Sequence, residues 1–387
     1  MSTIPSTPPI PVMLPWLGEE EAQAAAEAVR SGWVAQGPRV AEFERAIAAY
    51  LGVPHAVAVS SCTTALQLAL IGAGVGPGDE VVVPSLSFIA TANAVTYVGA
   101  VPVFADVELA SGNLTAETVA PLLTERTRAV IAVDQGGVPV DLTAIEALAG
   151  PRGITVIEDA ACGAGSLLRG RPVGSGAAIA AYSFHPRKLL TTGEGGMVTC
   201  QDGELAARLR RLREHGMSVS AADRHAASGG AGVVETYDEI GYNFRMTDIQ
   251  AAIGLVQLGK LPAMVARRRE LASRYRSLLG PLGERLVADP AHGTGNFQAC
   301  WLLLPEDAPD RTEVLTRLAG AGVSARRGIM AAHLEAPYKT GRPQGGARVP
   351  LPNTELLTGR SLILPLFHTL TEQQQDTVVG ALRVILG

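Results

Sequence analysis

Ser183-Phe184-His185-Pro186-Arg187-Lys188-Leu189-Leu190-Thr191-Thr192-Gly193-Glu194-Gly195-Gly196 decides how the rest of the chain is read. Small apolar residues over 177–182 precede it and read as a buried strand. Met197-Val198-Thr199-Cys200 follows and reads as another. Between them lie a lone lysine, a hydroxyl at a strand end and three glycines in four residues. Glycine lets backbone pass close to a bulky group, and a lysine held between core strands does more than solubilise. Taken alone, the stretch reads equally well as an exposed turn with a surface lysine, so the surrounding chain has to decide.

Working outward, short apolar runs at 56–60, 81–83, 102–105, 129–133, 155–157 and 179–182 are bounded by Gly, Pro or Asp. Helical spacing fills 63–70, 89–98, 116–123 and 142–148 between most of them. Strands apolar on both faces, alternating with helices, predict an α/β fold with a mostly parallel central sheet flanked by helices. Helical patterns also cover 19–31, 39–50, 203–215 and 247–258, the last opened by Thr247 and Gln250 as a capping box. The segment 216–239 is long and rich in Gly, Ala and Ser, and open loops of this size are usually functional or cross to a partner. After Leu261-Pro262 come a helix over 264–279, an apolar run over 297–304 and a helix over 312–319. A second open loop follows over 340–348, and a closing helix over 371–386 starts with Thr371 and Gln374. The expected division is a large domain over 1–261, with an N-terminal arm, and a smaller C-terminal α+β domain over 262–387.

Composition narrows the function classes. The chain has 387 residues, 47% of them apolar, and a net charge of −5 with both signs mixed. No basic block suggests nucleic acid. No apolar run reads as long enough to span a bilayer, and residues 1–15 lack the pattern of a signal peptide. Cys62, Cys162, Cys200 and Cys300 are far apart and form neither a zinc pattern nor a disulfide framework. The expected setting is a reducing cytoplasm.

Four stretches fall at predicted strand ends, where open α/β sheets bind ligands. Ser60-Ser61-Cys62-Thr63-Thr64-Ala65 joins a strand to a helix, and helix N-termini attract phosphate; an ordinary N-cap would look the same. Asp159 closes the apolar run before Ala160-Ala161. A buried carboxylate needs a partner, and one candidate is the protonated ring nitrogen of pyridoxal phosphate; the other reading is a cap on the next helix. Phe88, in Pro84-Ser85-Leu86-Ser87-Phe88, could stack on a flat cofactor or belong to the core. Lys188 fits a Schiff-base lysine, whose amine condenses with an aldehyde and carries protons once freed, and Ser183 fits a second phosphate ligand.

Phosphate cup, stacking ring, acid and lysine, in that chain order, resemble the fold type I pyridoxal-phosphate enzymes, and among them the DegT-type sugar aminotransferases. The resemblance begins at Gly32-Trp33-Val34-Ala35-Gln36-Gly37-Pro38 with Phe43-Glu44. It runs through Ser61 to Leu66, Glu158-Asp159-Ala160-Ala161, the lysine stretch and Gly241-Tyr242-Asn243-Phe244-Arg245-Met246-Thr247, and ends near Leu362-Ile363-Leu364-Pro365. It implies that Lys188 carries pyridoxal 5′-phosphate, that Asp159 partners the pyridine nitrogen and that Phe88 stacks. It also implies Thr63, Thr64 and Ser183 as phosphate ligands. Asn243 resembles the residue that reaches the phosphate from a neighbouring subunit, which implies a homodimer with shared sites. Cys162 stands where many relatives carry Gln or His facing the cofactor, and the stretch Val133-Asp134-Gln135-Gly136-Gly137 lacks the His that many relatives have.

Ser-Phe-His-Pro-x-Lys followed by Thr-Thr-Gly-Glu-Gly-Gly resembles the branch that aminates C4 of a nucleotide-linked 4-keto-6-deoxyhexose, such as perosamine synthase. L-Glutamate is the donor this implies. Alternatives are amination of a 3-keto sugar nucleotide or a cyclitol ketone, and a non-catalytic regulatory protein that binds the cofactor. A dehydratase on the same fold would carry His in place of Lys188. Candidate sugar contacts are His185, Trp33, His333 and Tyr338. Trp33 reads as well as an anchor for the N-terminal helix, and Arg245 as an ion-pair partner of Asp248. No metal is expected.

Overall fold

The computed structural model describes residues 8–219, 234–340 and 346–387. Its central sheet is built from β1 (His55–Val59), β2 (Glu80–Pro84), β3 (Val101–Ala105), β4 (Thr127–Val133), β5 (Thr155–Asp159), β8 (Ile179–Ser183) and β9 (Gly196–Cys200). Between β5 and β8 lie the two-residue strands β6 (Leu167–Leu168) and β7 (Arg171–Pro172). The strand order is β1-β9-β8-β5-β4-β2-β3, with β9 alone antiparallel to its neighbours. Alternate residues feed opposite faces: Ala56 and Ala58 join one core, Val57 and Val59 the other. Burial on both faces explains the unbroken apolar runs in the sequence.

Helices follow the expected pattern, and both capping boxes are present, Thr247 with Gln250 and Thr371 with Gln374. The break expected at Leu261-Pro262 is absent. One helix, Asp248–Leu279, runs 32 residues with Pro262 inside it. Proline removes a hydrogen bond from a helix interior, but this helix is packed along the helices Glu19–Arg30 and Pro38–Leu51 and buries Leu261 and Met264. Tertiary packing therefore carries it through the proline. By length and mean hydropathy of 1.4 over its best window it could also cross a membrane, which the sequence reading had not anticipated. Its buried Arg268 donates instead to the carbonyls of Phe297, Gln298 and Leu366, and its residues join the core on one face of the central sheet (Ala251, Leu261) to a C-terminal core (Leu271, Tyr275), which makes it a spine between them.

The C-terminal part holds β10 (Gly293–Thr294), which pairs with β6, and the sheet of β11 (Cys300–Leu303), β12 (Arg326–Arg327) and β13 (Ser361–Leu364). Its core includes Leu302, Leu318, Leu364 and Val378, together with Ile10 from the N-terminal arm. Ile10 bridges to Val323. The arm thus packs on the C-terminal unit rather than on the large one, and the expected boundary at residue 261 falls inside a continuous helix.

Asp248 does not pair with Arg245. Its carboxylate accepts the amides of Gly37, Arg39 and Val40 at 2.8–3.0 Å and caps the helix Pro38–Leu51 from a distance. Of the long loop expected over 216–239, residues 220–233 lie outside the described residues, as do 341–345 of the loop expected over 340–348. The flanks of the first loop meet in a neck where Ser218 N donates to Thr236 O at 2.9 Å.

Candidate active site

The carboxyl ends of β5 and β8, the start of β9 and the first turn of the helix Cys62–Gly72 share one rim. Val59 pairs with Gly196, and Gly196 with Ser183. Only glycine fits at 196, because a Cβ there would collide with the Ser61 backbone. The lysine turn is tied internally: Thr191 Oγ1 donates to Phe184 O (2.9 Å), Thr192 N to Phe184 O (3.0 Å) and Lys188 N to His185 O (2.8 Å). Phe184 also packs on Phe43, with ring centroids 5.3 Å apart, so the N-terminal motif buttresses the lysine stretch.

This turn points the Lys188 amine inward. Nζ lies 3.1 Å from Cys162 Sγ. Burial alone would lower the ammonium, but the sulfurs of Cys162 and Cys62 and the Asp159 carboxylate outweigh it and hold the amine above its ordinary value. Asp159 is 3% exposed. Its Oδ2 accepts from Thr91 Oγ1 at 3.0 Å and its Oδ1 from Ala161 N at 3.2 Å. Thr91 is oriented in turn by Ser87 Oγ at 2.8 Å. Burial pushes the Asp159 carboxyl up, while the Ala161 amide, Thr91 and Lys188 pull it partly back. Burial and then Asp159 push the Cys62 thiol well up.

The other expected residues divide. Thr63 and Ser183 are half-buried at the rim, and their hydroxyls are not committed to other described residues. Thr64 is committed: it forms the capping box with Ser61, taking the Ser61 amide at 3.1 Å and donating to the Ser61 carbonyl at 2.8 Å. Phe88 is 63% exposed, one turn before Thr91, whose amide its carbonyl accepts. Asn243 is exposed beside Phe244, whose carbonyl takes the Ser60 amide at 2.8 Å. His185 is half-buried; its Nδ1 accepts the Arg187 amide, and Nε2 lies 3.9 Å from Glu194.

The three remaining candidate sugar contacts have these surroundings. His333 is buried with Nδ1 bound to Ser85 Oγ at 2.6 Å. Tyr338 is buried with its hydroxyl on Asn93 and Thr96. Trp33 lies over Gly37 at the entry to its helix. Sequence reasoning missed Thr91, whose only signal was its spacing after Phe88, and Asn296, Phe297 and Gln298, which reach the site from over a hundred residues away and gave no signal.

The residues present fit pyridoxal phosphate. Asp159 is a buried carboxylate with no ion-pair partner among the described residues, and its charge and that of the Lys188 amine act on each other. Such a group calls for a cationic N–H. Beside it, a helix start with uncommitted hydroxyls suits a dianion. Fold and site together define a fold type I pyridoxal-phosphate enzyme.

Residues 15–383 match the DegT/DnrJ/EryC1/StrS aminotransferase family, and the chain belongs to that family. It is 38% identical to the spore coat polysaccharide biosynthesis protein SpsC of Bacillus subtilis (strain 168), over 97% of both chains. Among solved structures, it superposes on the aminotransferase TlmJ of Streptoalloteichus hindustanus with a TM-score of 0.88, 37% identity and coverage of 97% and 98%. On the pyridoxamine form of the putative sugar aminotransferase Spr1654 of Streptococcus pneumoniae the TM-score is 0.90, at 27% identity and the same coverage. The protein is a pyridoxal-phosphate-dependent aminotransferase.

Proposed function

We propose that the enzyme moves the amino group of L-glutamate to C4 of a nucleotide-linked 4-keto-6-deoxyhexose, giving a 4-amino-4,6-dideoxy sugar nucleotide. The observation that carries this reading is the Lys188 amine, turned inward among Cys162, Cys62 and Asp159. The sugar class is supported by likeness to SpsC and Spr1654. The C4 position is supported by Thr191-Thr192-Gly193-Glu194-Gly195-Gly196; its two threonines are buried and tied within the turn, so the motif acts by setting the shape of the lysine turn.

When bound, pyridoxal phosphate supplies an electron sink that makes the donor Cα proton removable. Lys188 takes that proton at the donor Cα in the first half-reaction and returns a proton at sugar C4 in the second. Asp159 holds the proton at the ring nitrogen. The amides at the start of the helix Cys62–Gly72, with Thr63 and Ser183, bind the phosphate; Thr64 positions that start through its cap. Phe88 would stack on the bound ring, and Lys188 would act on the reacting carbon.

The enzyme works as a homodimer in which Asn243 reaches the phosphate of the partner's site. Support comes from the exposed apolar side chains of Val234, Tyr237 and Ile240 beside Asn243, and from exposed Phe88. Four free cysteines support a reducing cytoplasm.

The test supplies purified enzyme with glutamate and either a 4-keto or a 3-keto sugar nucleotide, and locates the new amine by NMR. Amination at C4 is expected. Amination only at C3, or only of a cyclitol ketone, overturns the substrate reading.

A further inference from the structure

Asn296, Phe297 and Gln298 reach both members of the pair at the centre of the site. Asn296 is fully buried. Its Nδ2 donates to the carbonyls of Cys162 (2.7 Å) and Ala164 (2.8 Å), and its Oδ1 accepts the Gln298 amide at 2.7 Å. Gln298 Nε2 donates to the carbonyl of Arg187, the residue before the lysine. Phe297 sits between them with φ of 54°, a left-handed conformation that a bulky side chain adopts only when its surroundings impose it. Here Arg268 imposes it, gripping the carbonyls of Phe297 and Gln298 at 2.8 Å from the long helix. One strained turn, anchored to the spine of the fold, therefore holds the backbone at Cys162 with one side chain and the backbone at Lys188 with the other.

We propose that Cys162 is a catalytic residue, the proton partner of Lys188, and that Asn296 and Gln298 are positioning residues that hold sulfur and amine 3.1 Å apart. This rests on the aminotransferase reading and adds a residue to it. The step is a single proton transfer. When the amine is needed as a base, a proton on Nζ passes to the Cys162 thiolate: one N–H bond breaks and one S–H bond forms. The reverse transfer restores the ammonium–thiolate pair. No oxidant, reductant or other reactant takes part. A carboxamide at this position would hydrogen-bond the amine but could not hold its proton. The groups facing Lys188 are Cys162, Cys62, Asp159 and His185, and those facing Cys162 include Asp134 and Cys62.

The first test uses the full-length chain freed of cofactor and follows iodoacetamide alkylation of the Cys162 peptide by mass spectrometry between pH 5.5 and 9.5. An ammonium neighbour stabilises the thiolate, so the wild-type midpoint should lie about one pH unit or more below that of Lys188→Ala, which is about tenfold more thiolate and, after its lower intrinsic nucleophilicity, about threefold faster labelling near neutrality. Equal midpoints overturn the pair. Gln298→Ala and Asn296→Ser, checked by melting curves, should move the midpoint toward that of Lys188→Ala; a wild-type midpoint in a folded Gln298→Ala overturns the positioning role. In the holoenzyme, the pH titration of the visible band should shift in both Cys162→Ala and Cys162→Gln, and an unshifted titration in both contradicts the proposal. Neither readout needs turnover, so failure here is distinguishable from failure of the substrate reading.

Discussion

Asp159 shows how one side chain can be structurally costly and functionally required. It lies 3% exposed at the end of β5, held by the Thr91 hydroxyl and the Ala161 amide with the Cys62 thiol beside it, and with no ion pair among the described residues to offset its burial. Burial raises its carboxyl, so the free chain favours the protonated form more than a surface aspartate does. A cationic ring nitrogen reverses that preference, which is why the residue suits the cofactor and little else. Asp159→Asn keeps the shape and the Thr91 contact but cannot hold the ring proton. The expected outcome is a protein that still binds pyridoxal phosphate, by its visible band, with turnover reduced on the order of 10²–10⁴-fold. Near-normal turnover would contradict the role. The placement of Asp159 and Ser183 at strand ends, and of Lys188 before the glycine turn, was legible in the sequence because apolar runs and glycine spacing mark it. Thr64 shows why a phosphate-binding hydroxyl and a capping hydroxyl look alike in a sequence: its bonds to Ser61 are visible only in the fold. The long-range partners of His333 and Tyr338, Ser85, Asn93 and Thr96, leave no local trace in the sequence.

Strand β5 carries a second carboxyl, Glu158, on the face opposite Asp159. It is 1% exposed, and neither carboxylate oxygen finds a hydrogen-bond partner among the described residues. Burial raises it to about 8, helped by Glu146 and opposed by the Gly174 amide, which approaches the carboxylate without completing a hydrogen bond. Its neighbour Asp134 is raised by burial and by the Glu158 charge. Unfolded, Glu158 titrates near its ordinary 4.5. Between these values the unfolded chain holds fewer protons than the folded one, so stability falls as pH rises. The contribution is complete below about 4.5 and lost as pH climbs through about 8. Glu158→Gln should remove that slope: equal to wild type or less stable near pH 4.5, and more stable by about 1–3 kcal/mol near pH 8. Melting curves at pH 4.5, 6 and 8 check this, and a constant difference across them would show that Glu158 titrates normally. At this scale the elements were readable wherever periodicity and caps act locally. The helix through Pro262 was not, because packing along two other helices outweighs the local signal, and neither was the docking of Ile10 on the C-terminal core, which depends on Val323 more than three hundred residues away.

At the scale of the whole molecule, the site lies where the large sheet, the long helix and the C-terminal unit converge, and part of its rim faces solvent. Phe88 is 63% exposed, Val234 85% and Ile240 90%, with Asn243 exposed among them. Exposed apolar side chains are costly unless a surface covers them, and a second copy of the chain would cover them isologously. If Asn243 completes the partner's phosphate site, Lys188→Ala and Asn243→Ala each disable a different half of the composite site. In a hybrid dimer one site then receives both substitutions and the other receives neither. Random exchange gives half of the dimers as hybrids, each with one intact site of two, so a mixture of the two inactive proteins should recover about a quarter of wild-type activity. Separately tagged subunits, recovered as a mixed pair, verify that exchange took place. Recovery in the mixed pair but in neither parent is the expected outcome. No recovery in a verified hybrid would mean that each chain builds its site alone, with Asn243 serving its own Ser60 rim through the Phe244 carbonyl contact.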